Sequence, residues 1–407
     1  MAGIHAEGKA TAVQPPPLPW KDEASGLKIV DVRVVKTKPA TPREAYTPPK
    51  SPSGLEYQGH GVVGPMSVYE QYRGARSSYY PNKPGLDYFT VEITTDKGIK
   101  GYGLGGTGGA LVVESHLARL LMNEDPFNVD RIWDIMYRGT MHYSGGRGIA
   151  INAISGVDCA LWDIIGKATN LPVYKLLGGK HQDSVPCYAH GPGLYEVYLK
   201  MGFKHLKISM PYGPASGVEG MRKNVALVKH FRSLLGPDGR LGADCWMGWT
   251  ETYTMQMAEL LGPYNVMWLE EVLPPYDYAG YGRCREKIKP MLLNSGEHEY
   301  TRYGFREMLE HRSADIWNPD LEWTGGVTEV RRISALAQAY DIPMIMHGGA
   351  DHGKVHVTMA VNSPMAEMFG AVPTKQYEDE HFITRGPEGI YTRPSEKPGF
   401  GWNFIVA

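Results

Sequence analysis

Cysteine is scarce in this chain of 407 residues, and its placement limits the possible folds. The four cysteines lie far apart and form no CxxC pair; they are Cys159, Cys187, Cys245 and Cys284. This spacing argues against both a disulfide framework and a thiolate zinc site. We therefore predict reduced, structural thiols and a cytoplasmic location.

An excess of charge of either sign is also missing. The 42 Lys and Arg residues nearly balance the 44 Asp and Glu residues, which leaves a net charge of -2. Because nucleic acids and anionic membranes select strongly positive surfaces, we expect neither as a partner. We also expect no apolar run long enough to span a membrane. The first residues lack the basic and then apolar pattern of a secretory signal, so none is expected.

The length of the chain predicts more than one core, since single cores rarely grow beyond about 250–300 residues. Residues 1–25 are polar and rich in proline and are predicted to form a flexible tail. Residues 26–180 carry strand patterns and then helix patterns, as in an α+β domain. Within them, the long loop at 38–86 is expected to cover a substrate. Residues 376–407 are expected to return to this domain.

Residues 184–375 follow a different pattern, in which short apolar runs alternate with helix-length segments. Eight such runs are present, at residues 185–189, 205–209, 241–244, 266–270, 291–295, 315–318, 343–346 and 365–369. A strand–helix unit that recurs in this way is typical of a TIM-type barrel. The predicted fold class is therefore α/β, a TIM-type (β/α)7β barrel preceded by an α+β domain.

Acidic or basic residues end six of the predicted strands, where parallel barrels carry their catalytic groups. They are Asp244, Glu270, Glu297, Asp320, His347 and Glu367. Any one acidic residue at such a position could simply cap a helix. Three of them, Asp244, Glu270 and Glu297, follow adjacent strands and can converge on one cation. Hard oxygen ligands that leave coordination sites open suit Mg²⁺.

His347 and Asp320 end neighbouring strands and could form a base oriented by a carboxylate. Such a carboxylate fixes the imidazole tautomer and raises its basicity. On the second strand, Lys207 could act as a base or as the charge partner of nearby carboxylates, and residue 209 is a serine. His298, next to Glu297, could bind substrate, supply a proton or simply lie exposed in a loop.

Several motifs together resemble the mandelate racemase subgroup of the enolase superfamily. They are AISGVDCALWDIIGK at 153–167, WLEE at 268–271, SGE at 295–297, PD and GGVTE within 319–329, and His347. Within this subgroup the chain is most similar to L-rhamnonate dehydratases, through HGVVGPMSVYEQYRGAR at 60–76, MPYGP at 210–214 and KPGFG at 397–401. The resemblance covers nearly the whole chain.

This resemblance implies a capping domain, a homo-oligomer and a Mg²⁺-dependent enzyme that removes water from a sugar acid. The product would be a 2-keto-3-deoxy acid. His60 and Arg76 of the cap would bind the sugar acid, and Glu367 would donate a hydrogen bond to its carboxylate or to the developing enolate. His347 would take the C2 proton and then protonate the departing C3 hydroxyl. The sugar acid would be L-rhamnonate or a similar aldonate.

Other functions stay open from the sequence. A racemase or epimerase would use Lys207 as a second base, and a non-catalytic sugar-acid binding protein would use the cap residues without turnover. The GYGLGG run at 101–106 matches a dinucleotide motif, but it follows a predicted hairpin. A metal-dependent hydrolase would need His-x-His on the first barrel strand, which offers only His190. A Schiff-base aldolase would need Lys207 as its nucleophile.

Overall fold

The computed structural model describes residues 26–47, 61–69, 87–191 and 193–407. The predicted tail at 1–25 lies outside these residues, as do two long parts of the predicted covering loop. His60 and Arg76, the two proposed cap ligands of the substrate, fall in those parts and lie outside the described residues.

The N-terminal part combines a small antiparallel sheet with helices. Its strands are β1 (Ile29–Val35), β2 (Thr37–Pro39), β3 (Phe89–Thr95) and β4 (Lys100–Gly105), and the sheet has the order β1-β3-β4. Its helices are α1 (Ala110–Val112), α2 (Ala118–Leu121), α3 (Val129–Ser144), α4 (Ile149–Thr169) and α5 (Val173–Leu176), with a π-helical turn at Val113–Leu117 and a 3-10 turn at Pro65–Val68. Strands come first and the helices follow, as the sequence predicted.

The glycines of the GYGLGG run allow β4 to approach α4 closely. A Cβ atom at Gly101 would lie 2.2 Å from the Ala160 carbonyl oxygen, and one at Gly103 would lie 2.1 Å from that of Gly156. No larger residue fits between strand and helix at such distances. Because β4 pairs antiparallel with β3, the run does not connect a strand to a helix in a βαβ unit, where dinucleotides bind.

Parallel strands at the eight predicted positions form the second part of the chain. Seven are regular strands, β5 (Val185–His190), β6 (Leu206–Ser209), β7 (Leu241–Asp244), β8 (Trp268–Glu270), β9 (Leu292–Ser295), β10 (Ile316–Trp317) and β11 (Ala366–Phe369). The predicted seventh strand is reduced to a parallel bridge between Met344 and Trp317, and Pro343 before it has no N–H to donate. The sheet runs from β10 through β9, β8, β7 and β6 to β5, and β11 pairs with β5.

A helix follows each of the first seven of these positions. They are α6 (Tyr195–Met201), α7 (Gly217–Leu235), α8 (Glu251–Leu261), α9 (Tyr278–Lys287), α10 (Thr301–Glu310), α11 (Gly326–Gln338) and α12 (Lys354–Ala360), with 3-10 turns at Pro214–Ser216 and Gly262–Tyr264. Between the seventh position and β11, the Ala350 amide donates to the Glu367 carbonyl at 2.8 Å. The predicted (β/α)7β barrel with an N-terminal α+β domain is confirmed.

Helix α4 joins the N-terminal part to the barrel. The Ser155 hydroxyl accepts a hydrogen bond from the Gly325 amide at 2.9 Å, and the Asp158 carboxylate accepts one from the Thr328 amide at 2.9 Å. The Trp162 indole donates to the Thr328 hydroxyl at 2.9 Å. Ser155 and Asp158 therefore satisfy two backbone amides at the start of α11, which have no acceptor within their own helix, and Trp162 binds the Thr328 side chain beside them. The conspicuous motif on α4 holds the two parts of the protein together.

The same helix corrects one expectation from the sequence. Among the described residues, α4 is the one helix whose length and apolar composition would allow it to cross a membrane, which we had not expected of any segment. Of its most apolar stretch, 94% is buried inside the protein. The apolar character of α4 is that of a core helix packed between a sheet and a barrel.

The C-terminal residues contact both parts of the protein. After α13 (Lys375–Glu380), the strands β12 (Thr384–Gly386) and β13 (Gly389–Thr392) pair with each other, and β13 pairs antiparallel with the start of β5. Strand β14 (Phe404–Val406) pairs with β2 in the N-terminal part. The domain limits stay predictions.

Candidate active site

Three of the predicted site carboxylates end neighbouring strands of the barrel. Asp244 ends β7 and lies in register with Glu270, the last residue of β8, and Glu297 follows the end of β9. Partners in register on parallel strands point to the same side of a sheet. All three side chains are buried, with at most 5% of each residue exposed. The structure therefore places the predicted metal ligands at one end of the barrel.

The electrostatics of these carboxylates fit a divalent cation. Burial raises the pKa of Asp244 to about 7; Lys207 opposes this effect, and the neighbouring carboxylate of Glu297 adds to it. Burial likewise raises the pKa of Glu270 to about 7, again against Lys207 and with the help of Asp244. Buried carboxylates that repel one another gain most from a cation that binds them together. The donor set consists of hard oxygen atoms, as Mg²⁺ requires.

Glu270 already has several partners in this arrangement. Its Oε1 atom accepts from Lys207 at 2.5 Å, and Oε2 accepts from the Trp268 indole at 3.1 Å and the Asn294 amide at 2.9 Å. An ionised carboxylate has about four acceptor positions, so one stays available to a metal. Glu270 can thus join a metal site while these donors hold its orientation.

A second group of possible ligands overlaps the predicted trio. Suitable ligand atoms of Glu271, Glu297 and His298 lie within 4.8 Å of one another. The Glu271 carboxylate lies 2.6 Å from Nδ1 of His298 and also accepts from the His298 amide at 3.1 Å. Glu297 is shared by both groups, so the cation could be held by either set.

His347 and Asp320 form the predicted pair. Nδ1 of His347 lies 2.6 Å from Oδ2 of Asp320, which directs Nε2 to the other side, 3.3 Å from Oε1 of Glu297. Burial lowers the pKa of His347, but the carboxylates of Glu297, Asp320 and Glu367 outweigh it and raise that pKa to about 10. With this pKa the imidazole carries a proton at Nε2 at neutral pH, and a cation bound to Glu297 would lower the pKa of His347 and release Nε2 as a base.

Lys207 lies between two carboxylates on the barrel wall. Its Nζ atom is 2.5 Å from Glu270 and 2.7 Å from Glu367, and the residue is 1% exposed. Burial lowers the pKa of Lys207, yet the two carboxylates raise it well above its usual value. An ammonium group held in this way is a poor base. Ser209, in register with Asp244, supplies no second lysine on this strand.

The predicted donor role of Glu367 disagrees with its surroundings. Burial raises the pKa of Glu367, but Lys207 and His347 outweigh burial and lower that pKa to about 2. Its Oε2 atom accepts a hydrogen bond from the Gly348 amide at 2.8 Å. An ionised carboxylate can only accept hydrogen bonds. In this structure Glu367 is therefore an acceptor, because Lys207 neutralises it as an ion.

Sequence reasoning missed Glu271, Trp323 and Lys354. Glu271 is the second acid of WLEE, and alternation along a strand predicts that it points away from Glu270. It instead follows the end of β8 with a φ of 44°, a turn that alternation along a strand does not reveal. The Trp323 ring packs against both site histidines, with centroid distances of 5.0 Å to His298 and 5.5 Å to His347. Lys354 reaches Asp320 from α12 and carried no signal in the sequence.

Comparison with known proteins agrees with this fold and this arrangement of residues. Residues 85–178 match the family described as "Mandelate racemase / muconate lactonizing enzyme, N-terminal domain", and residues 194–405 match "Enolase C-terminal domain-like". The chain belongs to the mandelate racemase/muconate lactonizing enzyme family of the enolase superfamily. The resemblance inferred from the motifs is thereby confirmed.

Individual relatives carry more specific names. The chain is 39% identical over 348 residues to the L-rhamnonate dehydratase of Saccharopolyspora erythraea. The aligned region covers 84% of this chain and 88% of that relative. A crystal structure of L-rhamnonate dehydratase from Gibberella zeae superposes with a TM-score of 0.78 at 32% identity, over 93% of this chain and 94% of that one. A second structure of the Gibberella zeae enzyme, described as complexed with Mg, has a TM-score of 0.77 at the same identity and coverage.

Proposed function

We propose that this protein is a Mg²⁺-dependent hydro-lyase that dehydrates a sugar acid, L-rhamnonate or a similar aldonate, to a 2-keto-3-deoxy acid. The observation that carries the proposal is the His347–Asp320 pair, whose Nε2 faces the buried carboxylate of Glu297 at the mouth of the barrel. Relatives that cover most of the chain are named L-rhamnonate dehydratase, and one is described as complexed with Mg.

The proposed ligands of Mg²⁺ are Asp244, Glu270 and Glu297. When bound, the ion supplies positive charge beside the substrate carboxylate, which makes the neighbouring C2 proton more acidic. Lys207 holds Glu270 and Glu367 in place and compensates their charge. Its role is thus that of a charge partner rather than of a second base.

His347 carries the proton in this mechanism. Its Nε2 takes the C2 proton of the sugar acid, while Asp320 holds the Nδ1–H and stabilises the imidazolium. The imidazolium then returns the proton to the C3 hydroxyl as the C3–O bond breaks, and water leaves. The resulting enol becomes the 2-keto-3-deoxy acid by taking a proton at C3 and losing the proton of its C2 hydroxyl. One general acid–base contributes about 10²–10⁴-fold, so the metal and positioning must provide the rest.

Substrate recognition is proposed to involve His60 and Arg76 of the cap together with His298. Arginine can hold a carboxylate through two parallel hydrogen bonds. Glu271 orients His298, since it lies 2.6 Å from Nδ1 of that ring. A cytoplasmic location and a homo-oligomeric state stay predictions from the sequence and the family resemblance.

A screen of sugar acids with Mg²⁺ tests the proposal. L-rhamnonate, L-lyxonate and L-mannonate are incubated with the protein, and 2-keto-3-deoxy products are detected chemically and by NMR in D₂O. We expect dehydration of more than one acid, because a single methyl group changes binding by only about 1–3 kcal/mol. A 2-epimer formed without dehydration would instead indicate a racemase or epimerase. Binding of every acid without any turnover would indicate a sugar-acid binding protein.

A further inference from the structure

Lys354 is a buried cation next to the proposed catalytic pair. It begins α12 and is 5% exposed, and its Nζ atom lies 2.7 Å from Oδ2 of Asp320 and 3.6 Å from Oε2 of Glu322. Burial lowers the pKa of Lys354, but Asp320, Glu322 and Asp351 together raise it well above its usual value. A lysine is almost never buried without such partners. The ammonium group is therefore charged, and Asp320 is its nearest partner.

Lys354 and His347 share one oxygen atom of Asp320. Oδ2 lies 2.7 Å from Nζ of Lys354 and 2.6 Å from Nδ1 of His347. The other oxygen, Oδ1, accepts from the Glu322 amide at 2.6 Å. Three donors thus surround one buried carboxylate. If the ammonium group were removed, Oδ2 would lose one of two donors, and the carboxylate could rotate away from the imidazole.

We propose that Lys354 is a positioning residue that holds the Asp320 carboxylate against His347, so that Nε2 of His347 meets the C2 proton of the substrate. This inference rests on the proposed function, in which His347 is the base. Misplacement of a reacting group by about 1 Å can lower a rate about 10²-fold. Lys354 touches no reacting atom in this scheme; it acts through Asp320.

A purely structural role for the same ion pair makes a different prediction. Removal of one partner from a buried ion pair leaves the other charge unpaired and destabilises the fold. A variant affected only in this way would unfold more easily, but its folded fraction would turn over normally. A positioning residue instead affects kcat in the folded protein and leaves KM nearly unchanged.

The space around Lys354 would allow an added amine to replace its ammonium group in a truncated variant. Lys354, Glu322 and Asp351 line a cavity of about 600 Å³, which extends to Arg43 and Tyr46 of the N-terminal part. Truncation of Lys354 to alanine would add the space of its own side chain to this cavity. A small alkylammonium ion could then occupy the position of Nζ beside Asp320.

The test measures Lys354→Ala, Lys354→Met and Lys354→Arg with the sugar acid that the wild type dehydrates. We expect kcat of the alanine and methionine variants to fall about 10²-fold with KM within about threefold. Arginine should retain more activity than methionine. Methylammonium or ethylammonium should raise kcat of the alanine variant at least about tenfold and reach saturation, because the bound ammonium would again hold Asp320 in position. Lys375→Ala removes an exposed pair with Asp379 and should match the wild type with and without amine.

Crystal structures of the wild type and Lys354→Ala test the inference with a measurement that does not depend on activity. We expect the Asp320 carboxylate to rotate in the variant and its distance to Nδ1 of His347 to exceed hydrogen-bonding range. An unmoved carboxylate, or folded Lys354→Met with normal kcat, would overturn the inference. If the wild type dehydrates no sugar acid, the proposed function fails, and these two crystal structures still decide whether Lys354 positions Asp320.

Discussion

Lys207 and Glu270 form an ion pair inside the barrel, with 2.5 Å between Nζ and Oε1. Both residues are almost completely buried, and the same ammonium group also contacts Glu367 at 2.7 Å. A lysine that must serve as a base needs to lose its proton, and two buried carboxylates oppose that loss. The arrangement favours dehydration with a single base over racemisation with two.

Replacement of Lys207 by methionine should destabilise the protein. It leaves two buried carboxylates without their cation, and loss of one partner from a buried pair typically costs about 3–5 kcal/mol. Urea unfolding without metal measures the change. Lys229→Met, at an exposed lysine of α7, should change stability by less than about 0.5 kcal/mol. A stable Lys207→Met protein that loses only an epimerase activity would identify Lys207 as a base.

His347→Asn should abolish turnover and leave the binding of Mg²⁺ intact. Asparagine can still occupy the site, but it cannot take and return a proton, and a general acid–base provides about 10²–10⁴-fold in rate. Steady-state kinetics and calorimetric titration with Mg²⁺ measure the two properties. His311→Asn, at an exposed histidine of the barrel surface, serves as the control. A near-normal rate in His347→Asn would remove His347 from the mechanism.

Mg²⁺ should stabilise the folded protein, since an ion that binds only the folded state adds free energy of unfolding. At a concentration about 100 times its Kd, this increment is about 2.7 kcal/mol. Thermal or urea unfolding with and without Mg²⁺ measures it. The predicted trio requires that Asp244→Asn loses the increment and that Glu271→Gln keeps most of it. The opposite result would place the ion between Glu271, Glu297 and His298.

The sequence predicted the barrel well because each strand is a separate apolar run followed by a helix. The seventh run is the weakest in the structure, since Met344 alone bridges to β10 after a proline. Residues at strand ends could be assigned because the fold places all such ends at one rim. Their partners could not be assigned in the same way. Lys354 acts from a helix, and its contact with Asp320 depends on tertiary packing.

The N-terminal glycine run shows the same limit. The spacing of GYGLGG suggests a dinucleotide motif. Its last glycine, Gly106, instead contacts residues that lie far along the chain. A Cβ atom at Gly106 would lie 2.1 Å from Cδ1 of Trp323, and the Gly106 amide donates to the Glu322 carbonyl at 3.0 Å. No pattern in one sequence links residue 106 to residue 323. The contact brings the end of β4 to the ring that packs against His298 and His347.

Gly106→Ala should therefore impair catalysis without unfolding the protein. The added methyl group must displace the Trp323 ring, and with it the packing of both histidines. We expect kcat/KM to fall about 10–100-fold, since small displacements at a reacting centre have effects of this size. Gly262→Ala is the control, because its Cβ would meet no atom within 4 Å. An unchanged kcat/KM in Gly106→Ala would show that Trp323 does not support the site.

Glu92 in the N-terminal sheet should make stability depend on pH. Burial alone would raise the pKa of Glu92, but hydrogen bonds from Arg33, Tyr102 and Lys100 outweigh burial and lower it. A group whose pKa is lower in the folded state stabilises the fold above its unfolded pKa, which is about 4.3 for glutamate. This stabilisation is lost as the pH falls through the folded pKa.

Glu92→Gln removes the charge but keeps the shape of the side chain. We expect the free energy of unfolding to fall by about 1–3 kcal/mol at neutral pH. Arg33, Tyr102 and Lys100 would then face a neutral amide in place of a carboxylate. The difference from the wild type should stay constant from about pH 6 down to about pH 4.3, the unfolded pKa, and shrink only below that, as the pH falls through the lowered pKa of the folded state and the wild-type carboxylate takes up its proton. Urea unfolding across this range measures both effects. Glu124→Gln, which breaks a more exposed pair with Arg131, should show a difference below about 1 kcal/mol at every pH. A difference between Glu92→Gln and the wild type that stays constant below the unfolded pKa as well would mean that the charge of Glu92 does not stabilise the sheet.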